Sequence, residues 1–203
     1  CGRRTSRRWP RTSGIRHHGD ICLRDLSLHI LDLMENSLRA GAQRVDVTVE
    51  QRTDEDAMTI EIEDDGPGLT VTSAQAADPF FTTKSGKRVG LGLSLFQAAA
   101  ERAGGRMTLD RSGLGGLAVR ATMQLSHVDR NPMGDLGATM MTALCSRPEV
   151  RLHVTLAVDG ERREVDSYDA IERLSQRGVD LGALPMELAA EVNAAVEDVG
   201  LRQ

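Results

Sequence analysis

Aromatic side chains are nearly missing from this 203-residue chain: three Phe, one Tyr and one Trp, or 2% of its residues. Stacking platforms for single-stranded nucleic acid have almost nothing to be built from. The core must come from Leu, Val, Ile, Ala and Met. Lysine is scarcer still, with Lys84 and Lys87 standing against 23 arginines. The three cysteines, Cys1, Cys22 and Cys145, are odd in number and form no CxxC pair. That excludes a disulfide framework and a cysteine-based zinc site. No run of about 18 apolar residues occurs, so no spanning helix is expected, and a soluble, cytoplasmic protein is the default. There is no internal repeat, no GxxxxGK[ST] phosphate loop and no GxGxxG following a strand, which removes the P-loop and Rossmann readings.

With 40% hydrophobic residues, the chain can fill one domain with a real core plus an appendage. Its charge is uneven. Residues 1–19 hold six arginines and no acid, and the rest carries 19 basic against 30 acidic side chains, a net of −11. So acidic a body is a poor DNA binder, and no nucleic-acid partner is expected. Residues 1–20 are expected to be a basic, disordered extension.

From Asp25 to Ala40 the apolar residues Leu26, Ile30, Leu33, Met34 and Leu38 fall at helical spacing. Asp25 is placed to cap this helix and Gly41 to stop it. "RVDVTVEQ" and "AMTIEIED" alternate as two strands around the polar loop "RTDEDA". "DDGPGLT" breaks regular structure. The segment from Val71 to Val89 reads as a loop or loose lid. "GLGLSLFQAAAERAGG" is a helix opened and closed by glycine, and "RMTLDR" and "LAVRATMQLS" form a second hairpin. Helix, hairpin, loop, helix, hairpin predicts a two-layer α/β sandwich, a mixed sheet with helices on one face, over residues 21–126. Residues 127–203 predict a small C-terminal α/β module. It has a helix near Leu136–Leu144, a hairpin turning at Asp159-Gly160, and a last helix with Pro185 in its first turn.

Four stretches carry chemistry. On the first helix His29, Asp32 and Asn36 share a face. An Asn amide oxygen is a hard neutral ligand suited to Mg²⁺, and an acid one turn away could orient or deprotonate a nucleophile. Taken alone, the same stripe reads first as a solvated helix face. Asp64-Asp65-Gly66-Pro67-Gly68 ends a strand. A carboxylate fixed there can accept a hydrogen bond from an exocyclic amine such as adenine presents, beside glycines that let backbone approach a flat ligand. Alone it is also an ordinary turn. Gly90, Leu91 and Gly92 open a helix, whose bare amides suit phosphates. Phe80-Phe81-Thr82-Thr83-Lys84 and Lys87 lie between these two stretches, and a mobile lysine suits a lid over phosphates. His17, His18, His127 and His153 read as surface or half-buried residues, and Met133, Met140 and Met141 as core.

In this order, "ENS", "DDGPG", "DPFFTTK" and "GLGL" resemble the ATP-binding domain shared by sensor histidine kinases, gyrase, Hsp90 and MutL, a Bergerat-type fold. "DPFFTTK…VGLGLSL" is similar to the histidine-kinase branch and "MENSLRAGA" equally to the MutL-like branch. The resemblance implies that Asn36 holds Mg²⁺ and that Asp64 binds the adenine amine, with Gly66 and Gly68 shaping that wall. It places Gly90, Leu91 and Gly92 at the phosphates and Thr82, Thr83 and Lys84 in the lid. Thr122, on a late strand, is expected to reach adenine through water. Three departures stand out. Asp32 occupies the position where the MutL and gyrase branch has a Glu base, Arg88 replaces a glycine common in the family, and no phosphoacceptor hairpin precedes the first helix. His29 is expected to line the site or pack beside it.

The resemblance implies a stand-alone, Mg²⁺-dependent ATP-binding protein that transfers the γ-phosphate to a protein partner, by positioning and charge neutralisation. Two alternatives remain open. One is an ATP-hydrolysing conformational switch with Asp32 as the water-orienting acid, and the other is a nucleotide sensor without turnover. Residues 127–203 are compatible with a homodimer surface, a partner surface or packing against the sheet.

Overall fold

A computed structural model describes residues 25–68 and 91–202. Helix α1 spans Leu26–Ala40, strand β1 Arg44–Arg52, β2 Ala57–Asp64, helix α2 Leu91–Arg102, β3 Arg106–Arg111 and β4 Leu117–Gln124. Then follow α3 Leu136–Ser146, β5 Arg151–Val158, β6 Glu161–Asp166, α4 Ser167–Gln176, a 3-10 turn Leu181–Ala183 and α5 Leu184–Val199.

The strands form one six-stranded sheet in the order β3-β4-β2-β1-β5-β6. All neighbours are antiparallel except β1 and β5, which run parallel. The side-chain period of two sorts the sheet into unlike faces. Leu109, Val119, Ile62, Val47, Val154 and Val165 stand in one row across all six strands. One residue along, the row reads Thr108, Arg120, Glu61, Thr48, Thr155 and Glu164. The apolar face is the one the helices cover, and its side chains merge with theirs into one buried cluster. A one-residue slip in any strand would turn its apolar set to water, which pins the register.

Residues 127–202 do not fold apart from this sheet. Strands β5 and β6 continue it beyond β1. Leu136, Met140 and Leu144 of α3 and Leu188 and Val192 of α5 belong to the same core as Ile30 and Met34 of α1. The connection into α3 also closes the start of α1. Leu26 and Ser27 donate their backbone N–H groups to the carbonyls of Pro132 (2.9 Å) and Met133 (2.8 Å). Asp25 occupies the cap position with extended backbone, yet its side chain makes no capping bond. The expected side-chain cap is thus replaced by main-chain carbonyls from the later segment, which satisfy the same orphan donors. At the far end Gly41 adopts φ 98° and ends the helix.

The β5–β6 turn has Asp159 and Gly160 both at positive φ, the signature of a tight two-residue hairpin. The Asp159 carboxylate accepts the Thr53 N–H (2.7 Å) and hydroxyl (2.6 Å), tying this turn to the β1–β2 turn. One shared core implies one unfolding transition. Leu188→Ala, at a fully buried position of α5, should lower stability by about 2–5 kcal/mol. In calorimetry the whole transition should move, with no early separate melting of the 127–203 segment.

Candidate functional site

Asp64 lies in phase with Met58, Ile60 and Ile62, so its carboxylate points to the helix-covered face. It is only 5% exposed. A buried carboxylate must be hydrogen-bonded, and three donors meet it. The Ser37 hydroxyl donates to Oδ2 (2.5 Å), and the backbone N–H groups of Gly66 (2.9 Å) and Leu117 (3.2 Å) donate to Oδ1. The Gly116 N–H donates to the Asp64 carbonyl (3.0 Å). A Cβ at Gly116 would overlap the Asp64 side chain, so only glycine allows the β3–β4 turn this close. Two carboxylate oxygens offer about four acceptor sites. Three are used, which leaves room for one more donor.

The neighbouring Asp65 has a different task. Its Oδ1 accepts the N–H groups of Gln43 (2.7 Å) and Arg44 (2.9 Å), fastening the turn to the start of β1. Gly66 and Gly68 follow, and Gly68, at φ 70°, faces the Gly116 backbone. A cleft of about 550 Å³ opens beside them, lined by Pro67, Gly68, Leu109, Asp110, Arg111, Gly115 and Gly116.

The second half of the site lies between α1 and α2. The α2 N-terminal turn seats Gly92 directly on Asp32. A Cβ there would overlap the carboxylate and come within 3.5 Å of Asn36 Nδ2. Asp32, Asn36 and Gly92 are therefore brought together. Burial raises the Asp32 carboxyl above its ordinary value, and the charge of Arg39 only partly opposes this. Arg39 donates to the Asn36 amide oxygen (2.7 Å) and ion-pairs with Glu35 at 3.7 Å.

His29 belongs to the same stripe of α1 but is buried, at 3% exposure. Phe96 of α2 covers it, with ring centroids 5.6 Å apart. Burial, with the nearby Arg102 charge, pushes its pKa down to about 4.

Thr122 is not brought to this site. It pairs with Thr59 on β2, five residues from Asp64, or about 17 Å along a strand. It also shares the phase of Arg120 and so stands on the sheet face away from the helices. Its hydroxyl donates to the Arg106 carbonyl at 3.4 Å. The strand at Asp64 is met instead by Leu117 and Gly116. Thr82, Thr83, Lys84, Lys87, Arg88 and Gly90 lie outside the described residues, and Leu91 is the first residue of α2.

Sequence reasoning missed Ser37, Arg39 and Gly116. Ser37 was in view, since it follows Asn36 directly, but its partner is 27 residues away. Arg39 could have been found from its i,i+3 spacing to Asn36. The "SGLGG" glycines read only as a turn, because their approach to Asp64 is a tertiary fact.

A helix-backed mixed sheet with a buried acid at the end of a central strand, facing a helix opened by glycine, has the layout of a histidine-kinase-like, Bergerat-type domain. The family profile described as histidine kinase-, DNA gyrase B-, and HSP90-like ATPase matches residues 23–127, and the chain belongs to that family. Membership implies ATP as the ligand. The chain is 31% identical over 129 residues to the sensor protein kinase CarS of Pseudomonas aeruginosa, an alignment covering 60% of this chain. The chain spans about a quarter of that relative's length, 27%. Among solved structures it is similar to the ATP binding domain of PrrB from Mycobacterium tuberculosis, with 22% identity and a TM-score of 0.37 over 49% of this chain and 67% of that one. It is also similar to the N-terminal domain of a DNA repair protein, with 13% identity and a TM-score of 0.44 over 71% of this chain and 52% of that one. No described helix is long and apolar enough to cross a membrane.

The buried His29 sets a pH dependence. Its folded pKa of about 4 lies below the ordinary 6.5. Between those values the unfolded chain binds more protons, so this contribution to stability is complete above about pH 6.5 and fades as pH falls toward 4. Urea midpoints measured at pH 7 and pH 4.5 should drop for the wild type. They should drop less for His29→Leu, and equal drops would contradict the assignment.

Proposed function

We propose that the chain binds Mg²⁺-ATP between Asp64 and the α1–α2 seam and passes the γ-phosphate to a protein partner in the cytoplasm. The observation that carries this reading is the buried Asp64 carboxylate, fixed by three donors with acceptor capacity left beside a wall of glycine backbone. That arrangement suits the exocyclic amine of adenine, with Gly66 and Gly68 against the flat ring. The amides of Leu91 and Gly92 at the start of α2, with Gly90, suit the phosphates. Thr83 and Lys84 would supply lid contacts.

The donor set fits Mg²⁺. Asn36 offers a hard, neutral oxygen, and in this structure the Arg39 guanidinium already places a positive charge on it. Asp32 stands one turn away on the same face. Asn36 would hold the ion, and Mg²⁺ when bound supplies charge neutralisation for the phosphates. Arg39 then gives up the amide oxygen and keeps its charge at the rim. The buried Gly92 contact excludes water from one side of the Asp32 carboxylate.

One observation favours a second reading, an ATPase switch. The raised pKa of Asp32 brings it nearer to the range in which a carboxylate removes a proton efficiently. A homodimer would suit either reading.

The readings separate in one set of incubations with γ-labelled ATP, Mg²⁺ and candidate partners. The kinase reading expects label on a partner. The ATPase reading expects free phosphate whose release falls with Asp32→Asn, and tight binding with neither product marks a sensor. In all three, Asp64→Asn should weaken ATP binding about 10- to 100-fold, the worth of a charged hydrogen bond. Indifference to Asp64→Asn would sink the shared premise.

A further inference from the structure

Helices α1 and α2 meet in two successive rungs. One turn separates His29 from Asp32 on α1 and Gly92 from Phe96 on α2. The first rung is His29 against Phe96, their planes tilted by 32°. The second is Asp32 against Gly92. His29 is 3% exposed and Phe96 fully buried, and among the described residues neither imidazole nitrogen has a hydrogen-bond partner. Buried polar atoms are nearly always paired, and leaving them unpaired costs free energy that a hydrocarbon side chain of similar size avoids. Stability does not explain a histidine at this position. Local rules are broken in this way where function requires it.

The inference rests on the reading that ATP binds over Asp32, Asn36 and Gly92. We propose that His29 is a positioning residue for that site. Its imidazole, with hydrogen-bonding capacity unspent, keeps the α1–α2 seam weakly sealed. The first turn of α2 can then shift against Asp32 and Asn36 as nucleotide binds. Moving parts of a binding site are drawn from the less stable contacts of a fold. A hydrocarbon at position 29 would close the seam and hold α2 where it stands without nucleotide. The expected signature is opposite movement of stability and affinity, the trade seen where a site is kept adjustable at some expense to stability.

The test uses the full chain and the variants His29→Leu, His29→Phe and His29→Gln. Thermal melting is measured without nucleotide, and equilibrium binding with a nonhydrolysable ATP analogue and Mg²⁺. His29→Leu and His29→Phe should melt at or above the wild-type temperature yet bind the analogue at least about fivefold more weakly. His29→Gln, which keeps polar atoms in the seam, should stay within about twofold of wild-type affinity. A packing role alone expects variants that melt like the wild type to bind like it, and that result overturns the proposal. Loss of folding in His29→Leu also overturns it, because the seam would then be a stability element. If the wild type binds no analogue, the ATP reading falls together with this one. If Asp64→Asn weakens binding and His29→Leu does not, this proposal alone falls.

Discussion

A carboxylate on the apolar face of a sheet is tolerated only where donors surround it, and the arrangement around Asp64 follows from that requirement. β2 delivers the carboxylate to the helix side because its period matches Met58, Ile60 and Ile62. Meeting it takes a hydroxyl from the last turns of α1, the N–H of Gly66 two residues on, and the N–H that opens β4. Ser37 in turn fixes the rotation of α1. Because Asn36 precedes Ser37 and Asp32 lies one turn before Asn36, the same bond fixes where the amide and the acid point. The base-binding and phosphate-binding halves of the proposed site are thus coupled through one buried hydrogen bond of 2.5 Å.

The later segment adds a second constraint on α1. Main-chain carbonyls of Pro132 and Met133 take its first N–H groups, and the Thr139 hydroxyl of α3 donates to the Ser27 carbonyl at 3.2 Å. The helix is held at its start by residues 132–139 and near its end by Asp64. Between these two anchors, His29 faces Phe96 and Asp32 faces Gly92 across the seam with α2. The adjustment proposed for nucleotide binding would fall there. The extension of the sheet through β5 also covers the outer edge of β1, so no strand partner can add at that place.

Much of this was legible in the sequence for identifiable reasons. Alternation and glycine punctuation located α1, the two hairpins and α2, because these signals are local. Asp64 was legible as an acid ending a strand just before two glycines, and Asp32 with Asn36 as a one-turn pair. What failed depended on register or on distant partners. Thr122 was chosen by type and approximate position, but pairing with Thr59 sends it to the wrong end and the wrong face. Ser37, Arg39 and Gly116 were read as part of a helix surface or a turn, since nothing local reveals the carboxylate or amide each one meets. The joining of β5 to β1 was likewise hidden, because a strand's own pattern does not say which edge it will pair with. His29, expected to line the site or pack beside it, is buried against Phe96, a neighbour that only the packing of α2 supplies.

The most direct measurement is the structure of the chain with a nonhydrolysable ATP analogue and Mg²⁺. The account expects the adenine amine within hydrogen-bond distance of the Asp64 carboxylate and the phosphates at the start of α2. It also expects Asn36 Oδ1 on the metal, with Arg39 displaced from it. An analogue bound elsewhere, or bound here with Asp64 making no contact to the base, would contradict it.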